Sequence, residues 1–210
     1  MSRPEVLIIK TGVANIASLF AAFDRLGRQG RLTEAPEDVL KGEHVVLPGV
    51  GAFAAGMAKL RERGLDEALG ERIEQGRPTL AVCLGLQLLC EASEESPGVA
   101  GLGVVPARVA RFDDSVRVPQ FGWNQVTPVA GPGGAPGGAT GGGSLLEPGF
   151  AYFANSFRVA ALPDGWGGAT SDHGDSFVAA LERGSLLACQ FHPELSGRWG
   201  SDLLARWLAR

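Results

Sequence analysis

The sequence predicts an α/β fold: a mostly parallel central sheet extended by antiparallel strands. Two observations predict it. In the first half, short runs of branched apolar residues alternate with helical patterns, the mark of βαβ units. Between Val104 and Gln190 helical periodicity almost disappears, and short strand-like runs punctuated by Gly and Pro replace it. With 210 residues, 45% of them hydrophobic, the chain has the size and composition of one domain with its own core, so a single domain over 1–210 is expected.

The elements follow in order. Val6–Ile9 reads as a strand. Asn15 is placed to cap a helix whose apolar face is Ile16, Leu19, Phe20, Phe23 and Leu26, with Gly27 and Gly30 marking its end. His44–Leu47 is a second strand, stopped by Pro48, and Met57–Leu69 reads as one helix. A third strand, Thr79–Val82, turns at Cys83 into a helix carrying Leu86–Leu89. Tyr152–Phe153, Phe177–Leu181 and Leu186–Phe191 are the strand candidates of the second half, and Leu203, Leu204, Trp207 and Leu208 form the apolar face of a terminal helix. Residues 131–143 are rich in glycine with no Gly-Lys-Ser/Thr after them, which predicts a flexible loop rather than a phosphate cradle.

Composition excludes several classes. The 19 basic and 23 acidic residues give a net charge of -4 without a basic block, which argues against nucleic acid as a partner. The apolar stretch Leu80–Cys90 falls well short of the ~20 residues of a membrane span. Lys10 closes the run Val6–Ile9 too early for a secretory signal, so a cytoplasmic protein is expected. Three cysteines, Cys83, Cys90 and Cys189, lack the spacing of a disulfide framework or a zinc site.

Chemistry concentrates at three places. Ala81-Val82-Cys83-Leu84-Gly85 joins a strand to a helix with small residues two positions either side of the thiol, as a nucleophile elbow requires. The helix start at Leu84 points its positive end at the sulfur and favours thiolate. Taken alone, Cys83 would more often be a small buried core residue; a reactive cysteine needs a base. The candidate is His192, one of three histidines, in Gln190-Phe191-His192-Pro193-Glu194, where extended geometry would put Glu194 on the same face to orient the imidazole. Pro48-Gly49-Val50-Gly51 ends a strand with a glycine-rich turn whose N–H groups, Val50 and Gly51 among them, could bind an oxyanion, although a plain turn is the simpler alternative. His44 precedes a buried strand and reads as structural. Asp172-His173-Gly174-Asp175 reads as a hairpin turn rather than a metal site.

Together, Pro48-Gly49-Val50-Gly51, Cys83-Leu84-Gly85-Leu86-Gln87 and Phe191-His192-Pro193-Glu194 resemble the class I glutamine amidotransferases over nearly the whole chain. Within them the chain is most similar to the glutaminase subunits of imidazole glycerol phosphate synthases, through Asn15-Ile16, Ala52-Phe53, Glu91–Gly98, Gly101-Leu102-Gly103, Val118-Pro119 and Gly122-Trp123-Asn124. The resemblance implies a flavodoxin-like three-layer α/β/α architecture and a catalytic triad of Cys83, His192 and Glu194. It also implies an oxyanion hole from Leu84 N–H and the Pro48–Gly51 turn, and glutamine held by Gln87, Glu95 and Ser156. Neither a metal nor an organic cofactor is implied. The implied partner is a (βα)8-barrel cyclase, bound as a heterodimer, that uses the ammonia in histidine biosynthesis.

Some positions depart from the family pattern. Lys10-Thr11 stands where Asp-Tyr is frequent, Ala81 replaces the first elbow glycine, Gln120 replaces a His, and Asn155-Ser156-Phe157 replaces His-Ser-Tyr. The rival readings are a glutaminase subunit of pyridoxal phosphate or anthranilate synthase, a γ-glutamyl hydrolase, or a non-catalytic regulatory subunit. Val118–Asn124 argues against the first two, and the intact Cys83, His192 and Glu194 against the last.

Overall fold

A computed structural model describes residues 3–11, 15–129 and 144–210. The glycine-rich 131–143 segment lies outside them. In chain order the elements are β1 (Glu5–Ile9), α1 (Ile16–Arg25), β2 (Gln29–Thr33), α2 (Pro36–Lys41), β3 (His44–Leu47), α3 (Phe53–Glu62), α4 (Leu65–Glu74), β4 (Thr79–Val82) and α5 (Leu84–Leu88). Then come β5 (Cys90–Ser93), β6 (Val105–Arg111), β7 (Gln120–Val129), β8 (Gly149–Asn155), β9 (Phe157–Val159), β10 (Gly167–His173), β11 (Asp175–Arg183), β12 (Leu186–Cys189) and α6 (Gly197–Trp207).

The main sheet has nine strands in the order β2-β1-β3-β4-β12-β11-β10-β7-β8. The first five are mutually parallel, and every pairing from β12 to β8 is antiparallel. The parallel part thus carries the 2-1-3-4-5 order of flavodoxin-like sheets. Side chains alternate across it: Ile8, Val46, Leu80 and Val82 pack on one face with α1 and α6. Leu7, Val45, Leu47 and Ala81 pack on the other with α2, α3, α4 and α5. Three layers result because a strand buried on both faces must be apolar at every position, as β3 and β4 nearly are. A small second sheet, β5-β6-β9, flanks the site.

Most elements named from the sequence are present, some with different ends, while β2, β5, β6, β7 and β9 were not foreseen. Helix α1 starts as expected, Asn15 Oδ1 accepting from Ser18 N at 3.4 Å. Gly30, however, does not end it: Gly30 belongs to β2, where the ring of Phe20 leaves no room for a side chain. The single helix expected over Met57–Leu69 is two, α3 and α4, broken at Gly64 with φ 65°. The short α2, opened by Pro36, was not foreseen. Strand β12 ends at Cys189 rather than Phe191, and His192 and Glu194 lie on a following turn. The hairpin at Asp172–Asp175 is as expected, with Gly174 at φ 83° between β10 and β11. His44 is buried with its ring edge-on to Trp207 at 5.0 Å, a core histidine. No helix among the described residues is long and apolar enough to cross a membrane.

Candidate active site

Because β3, β4 and β12 are neighbours, their carboxyl ends bring together segments far apart in sequence: Pro48–Gly51, Cys83–Gln87 and Gln190–Glu194. Ligands of open α/β sheets bind at such strand ends. A cavity of about 350 Å³ opens here, lined by Val50, Gly51, Cys83, Leu84, Gln87, Glu95, Asn155, Ser156 and His192 among others. Every residue proposed from sequence lines it except Glu194, which stands behind His192.

Cys83 has φ 54° and ψ -109°, a backbone strain that no other non-glycine among the described residues shares. The surrounding bonds enforce it. Cys83 N donates to Cys189 O at 2.7 Å, and Leu84 N donates to Gly49 O at 3.2 Å. The chain doubles back so tightly that a Cβ on Gly85 would lie 2.1 Å from Leu47 O, and one on Gly49 would lie 2.8 Å from Leu84 Cβ. Ala81, by contrast, is absorbed in the core layer beneath the helices.

His192 is buried, and its Nδ1 lies 2.9 Å from Glu194 Oε1. The pairing expected from a strand is made instead by a single 3₁₀ turn, Pro193–Leu195. The reason is Pro193, which ends the ladder and turns Glu194 back under the ring. The backbone of His192 is also fixed: its N–H donates to Tyr152 O at 2.9 Å, and its carbonyl accepts from Ser196 Oγ at 2.6 Å. Burial works against an imidazolium here, but hydrogen bonds and charge from Cys83 and Glu194 outweigh it and raise the His192 pKa to about 10.

The N–H groups expected from sequence to bind an oxyanion are partly engaged. Leu84 N–H points at the Gly49 carbonyl rather than into the cavity, while Gly51 holds φ 102° with open space around its Cα. Thr11 Oγ1 donates to Pro48 O at 3.2 Å and ties this turn to β1. Gln87 Nε2 donates to Phe157 O and to Gln190 Oε1, each at 3.1 Å, which leaves its own Oε1 as the acceptor end. Glu95 Oε2 accepts from Phe53 N at 2.6 Å. The replaced positions Gln120 and Asn155 are register partners on β7 and β8; both amide atoms of Gln120 and Oδ1 of Asn155 are buried without a hydrogen-bond partner. Sequence reasoning passed over two residues of this site, Thr11 and Gln190. Gln190 had a signal, since it lies two residues before His192 in the same motif.

Residues 31–209 match the family model described as "Glutamine amidotransferase class-I". An imidazole glycerol phosphate synthase subunit HisH of Symbiobacterium thermophilum is 38% identical over 202 residues, covering 96% of this chain and 92% of that protein. The HisH subunit of Moorella thermoacetica is 40% identical over 209 residues, covering 96% and 92%. The chloroplastic imidazole glycerol phosphate synthase hisHF of Arabidopsis thaliana is 39% identical over 207 residues, which are 97% of this chain but 34% of that longer protein. Among solved structures, a glutamine amidotransferase superposes with a TM-score of 0.72 at 21% identity, covering 97% of this chain and 96% of the other; at that identity the likeness speaks for the fold.

Proposed function

Because the chain belongs to the class-I glutamine amidotransferases, and within them to the HisH subunits of imidazole glycerol phosphate synthase, we propose that Cys83, His192 and Glu194 perform its glutamine hydrolysis. The chain is a glutamine amidotransferase subunit that serves histidine biosynthesis. The observation that carries the residue assignment is the thiol on a strained elbow facing a buried imidazole whose other nitrogen is held by a carboxylate.

The chemistry follows from that arrangement. Glutamine enters with its side-chain amide over Cys83, and its α-ammonium is met by the Glu95 carboxylate and by Gln87 Oε1, the acceptor end of that amide. Ser156 lies on the same wall. The Cys83 thiolate attacks the amide carbon, and the C–N bond then breaks. His192 gives its proton to the departing nitrogen, leaving a glutamyl thioester and ammonia. Water then attacks the thioester while His192 takes a proton from it, and glutamate leaves as the thiolate is restored. Glu194 keeps Nδ1 protonated, so that Nε2 is the nitrogen that exchanges protons with the reactants.

The oxyanion formed in both steps needs N–H donors. We infer that Leu84, Val50 and Gly51 supply them once the Gly49 carbonyl releases Leu84 N–H, so the described state is a resting one. A missing donor costs about 2.7–4 kcal/mol in such sites. Ammonia left in water would be protonated and lose its nucleophilicity, which favours direct delivery to a cyclase subunit; the fused Arabidopsis relative is consistent with such a pairing. We propose a (βα)8-barrel partner seated on the outer face of β7–β8, where Phe121, Trp123 and Phe150 are 71%, 58% and 59% exposed beside the cavity wall at Ala154.

The decisive experiment is Cys83→Ala in the complex. Glutamine-dependent synthesis is expected to vanish while synthesis from added ammonium salts continues. Retained glutamine turnover would remove Cys83 from the role.

A further inference from the structure

Beneath the cavity floor lies a chain of side-chain amides that the hydrolysis scheme does not use. Gln190 follows directly after β12 and is fully buried. Its Nε2 lies 3.8 Å from Cys83 Sγ. Its Oε1 accepts from Gln87 Nε2 at 3.1 Å, and that same Nε2 donates to the Phe157 carbonyl at 3.1 Å. The Phe157 carbonyl also accepts from Asn155 Nδ2 at 3.0 Å.

This network fixes which end of each amide points where. A backbone carbonyl can only accept, so Gln87 must turn its NH2 toward Phe157. The same NH2 then faces Gln190, which must answer with its oxygen. Gln190 therefore has its NH2 directed at the sulfur and nowhere else to put it. A fully buried amide is costly unless both ends are satisfied, and here the sulfur is the acceptor at one end.

We propose that Gln190 is a further catalytic residue, an uncharged hydrogen-bond donor to Cys83 Sγ that steadies the sulfur whenever it carries negative charge. The inference rests on Cys83 being the nucleophile. Two donors of different kinds then address one sulfur. His192 surrenders its proton to the leaving nitrogen and regains one only when water attacks the thioester, so its charge beside the sulfur comes and goes through the cycle. The Gln190 N–H has no proton to lose, so its support persists through both steps. Hydrogen bonds to charged acceptors are about twice as strong as neutral ones, so the contact gains strength as the thiol ionises. The titratable groups around the sulfur are His192 and Glu194, from the segment after β12, and Glu95, from the segment after β5.

The test is the alkylation of Cys83 by iodoacetamide in the full-length protein, followed against pH and located by mass spectrometry. The other two thiols stay silent: Cys90 and Cys189 are fully buried, and burial pushes the Cys90 pKa up to about 12 and that of Cys189 well above its ordinary value. In Gln190→Met, which keeps length and unbranched shape, alkylation on the acid limb of the profile is expected to fall by about tenfold, the equivalent of one pH unit, while the plateau at high pH is kept. A loss of access or of packing would lower both limbs together. An acid limb identical to that of the parent protein, or a joint fall of both, overturns the proposal.

Because Gln190 is buried, a measurement on the unaltered chain stands beside the variant. The side-chain 15N–1H resonance of Gln190 is expected to move with the alkylation midpoint and to stay still in Cys83→Ala, which keeps His192. A resonance indifferent to the state of Cys83 overturns the proposal even if Gln190→Met cannot be folded. Should Cys83→Ala retain glutamine hydrolysis, the nucleophile assignment itself fails. If that variant is inactive but the Gln190 readouts do not move, the failure is confined to Gln190.

Discussion

At the scale of single residues, the site is an argument about where one proton sits. In the proposed scheme Glu194, 2.9 Å from His192 Nδ1, orients the ring and keeps that nitrogen protonated, and the proton that moves belongs to His192. Glu194→Gln is therefore expected to lower turnover less than His192→Ala, since an orienting group is partly replaced by nearby dipoles and a proton carrier is not. Steady-state glutamate release in folded variants measures this, and equal losses would contradict the division of labour. The raised His192 pKa also has a thermodynamic sign. A histidine with a pKa near 6.5 when unfolded and about 10 when folded adds stability that is complete below about pH 6.5 and lost as pH rises toward 10. Urea midpoints should thus fall more between pH 7 and pH 10 in the parent protein than in His192→Gln. That Cys83, His192 and Glu194 meet at one place was legible in the sequence, because residue type and motif position carry that much. The engagement of Leu84 N–H by Gly49 O was not, since the orientation of a peptide plane leaves no trace in residue identity.

Among elements, legibility followed burial. Strands β3 and β4 are buried at every position and stand out as apolar runs. Strand β2, Gln-Gly-Arg-Leu-Thr, lies at the sheet edge and is mostly half-exposed, so no apolar run announces it. The break between α3 and α4 was hidden because the apolar spacing continues across Gly64, and only its left-handed backbone ends the first helix. Two glycines sort the consequences. Gly85→Ala puts a methyl against the Leu47 carbonyl at the end of β3, and is expected to cost about 1–3 kcal/mol in urea denaturation and to remove glutaminase activity by displacing Cys83. Gly70→Ala, inside α4 with nothing near its Cα, is expected to stabilise by about 0.5–1 kcal/mol and leave activity unchanged. The opposite ends of the strands depend on Arg72, a fully buried guanidinium that donates to the carbonyls of Val39, Gly42, Glu43 and Pro78 and to Thr79 Oγ1. Its contacts join α2, α4 and the start of β4, none of which the sequence pattern connects.

For the whole molecule, the proposed resting state of the Pro48–Gly51 turn and the exposed hairpin face belong to one expectation. The purified subunit should release glutamate slowly, faster with the cyclase, and fastest when the cyclase also holds its nucleotide substrate; equal rates in all three would refute the gate and leave the triad standing. Trp123→Ala should weaken cyclase binding at least ~10-fold in a titration, as truncating an aromatic anchor does. The path inward is short, because Trp123 and Phe121 pack on Tyr152 and the Tyr152 carbonyl holds the backbone of His192. The sheet order carries a further consequence for how the protein comes into being. Cys83 directly follows β4, but His192 follows β12, the strand that lies between β4 and β11. A nascent chain on the ribosome therefore displays Cys83 long before Leu186–Glu194 exists to complete the centre. Until then β4 is an open apolar edge, and a truncated chain carries Cys83 without His192 and Glu194. Such fragments are left with a strand edge prone to pairing with other chains.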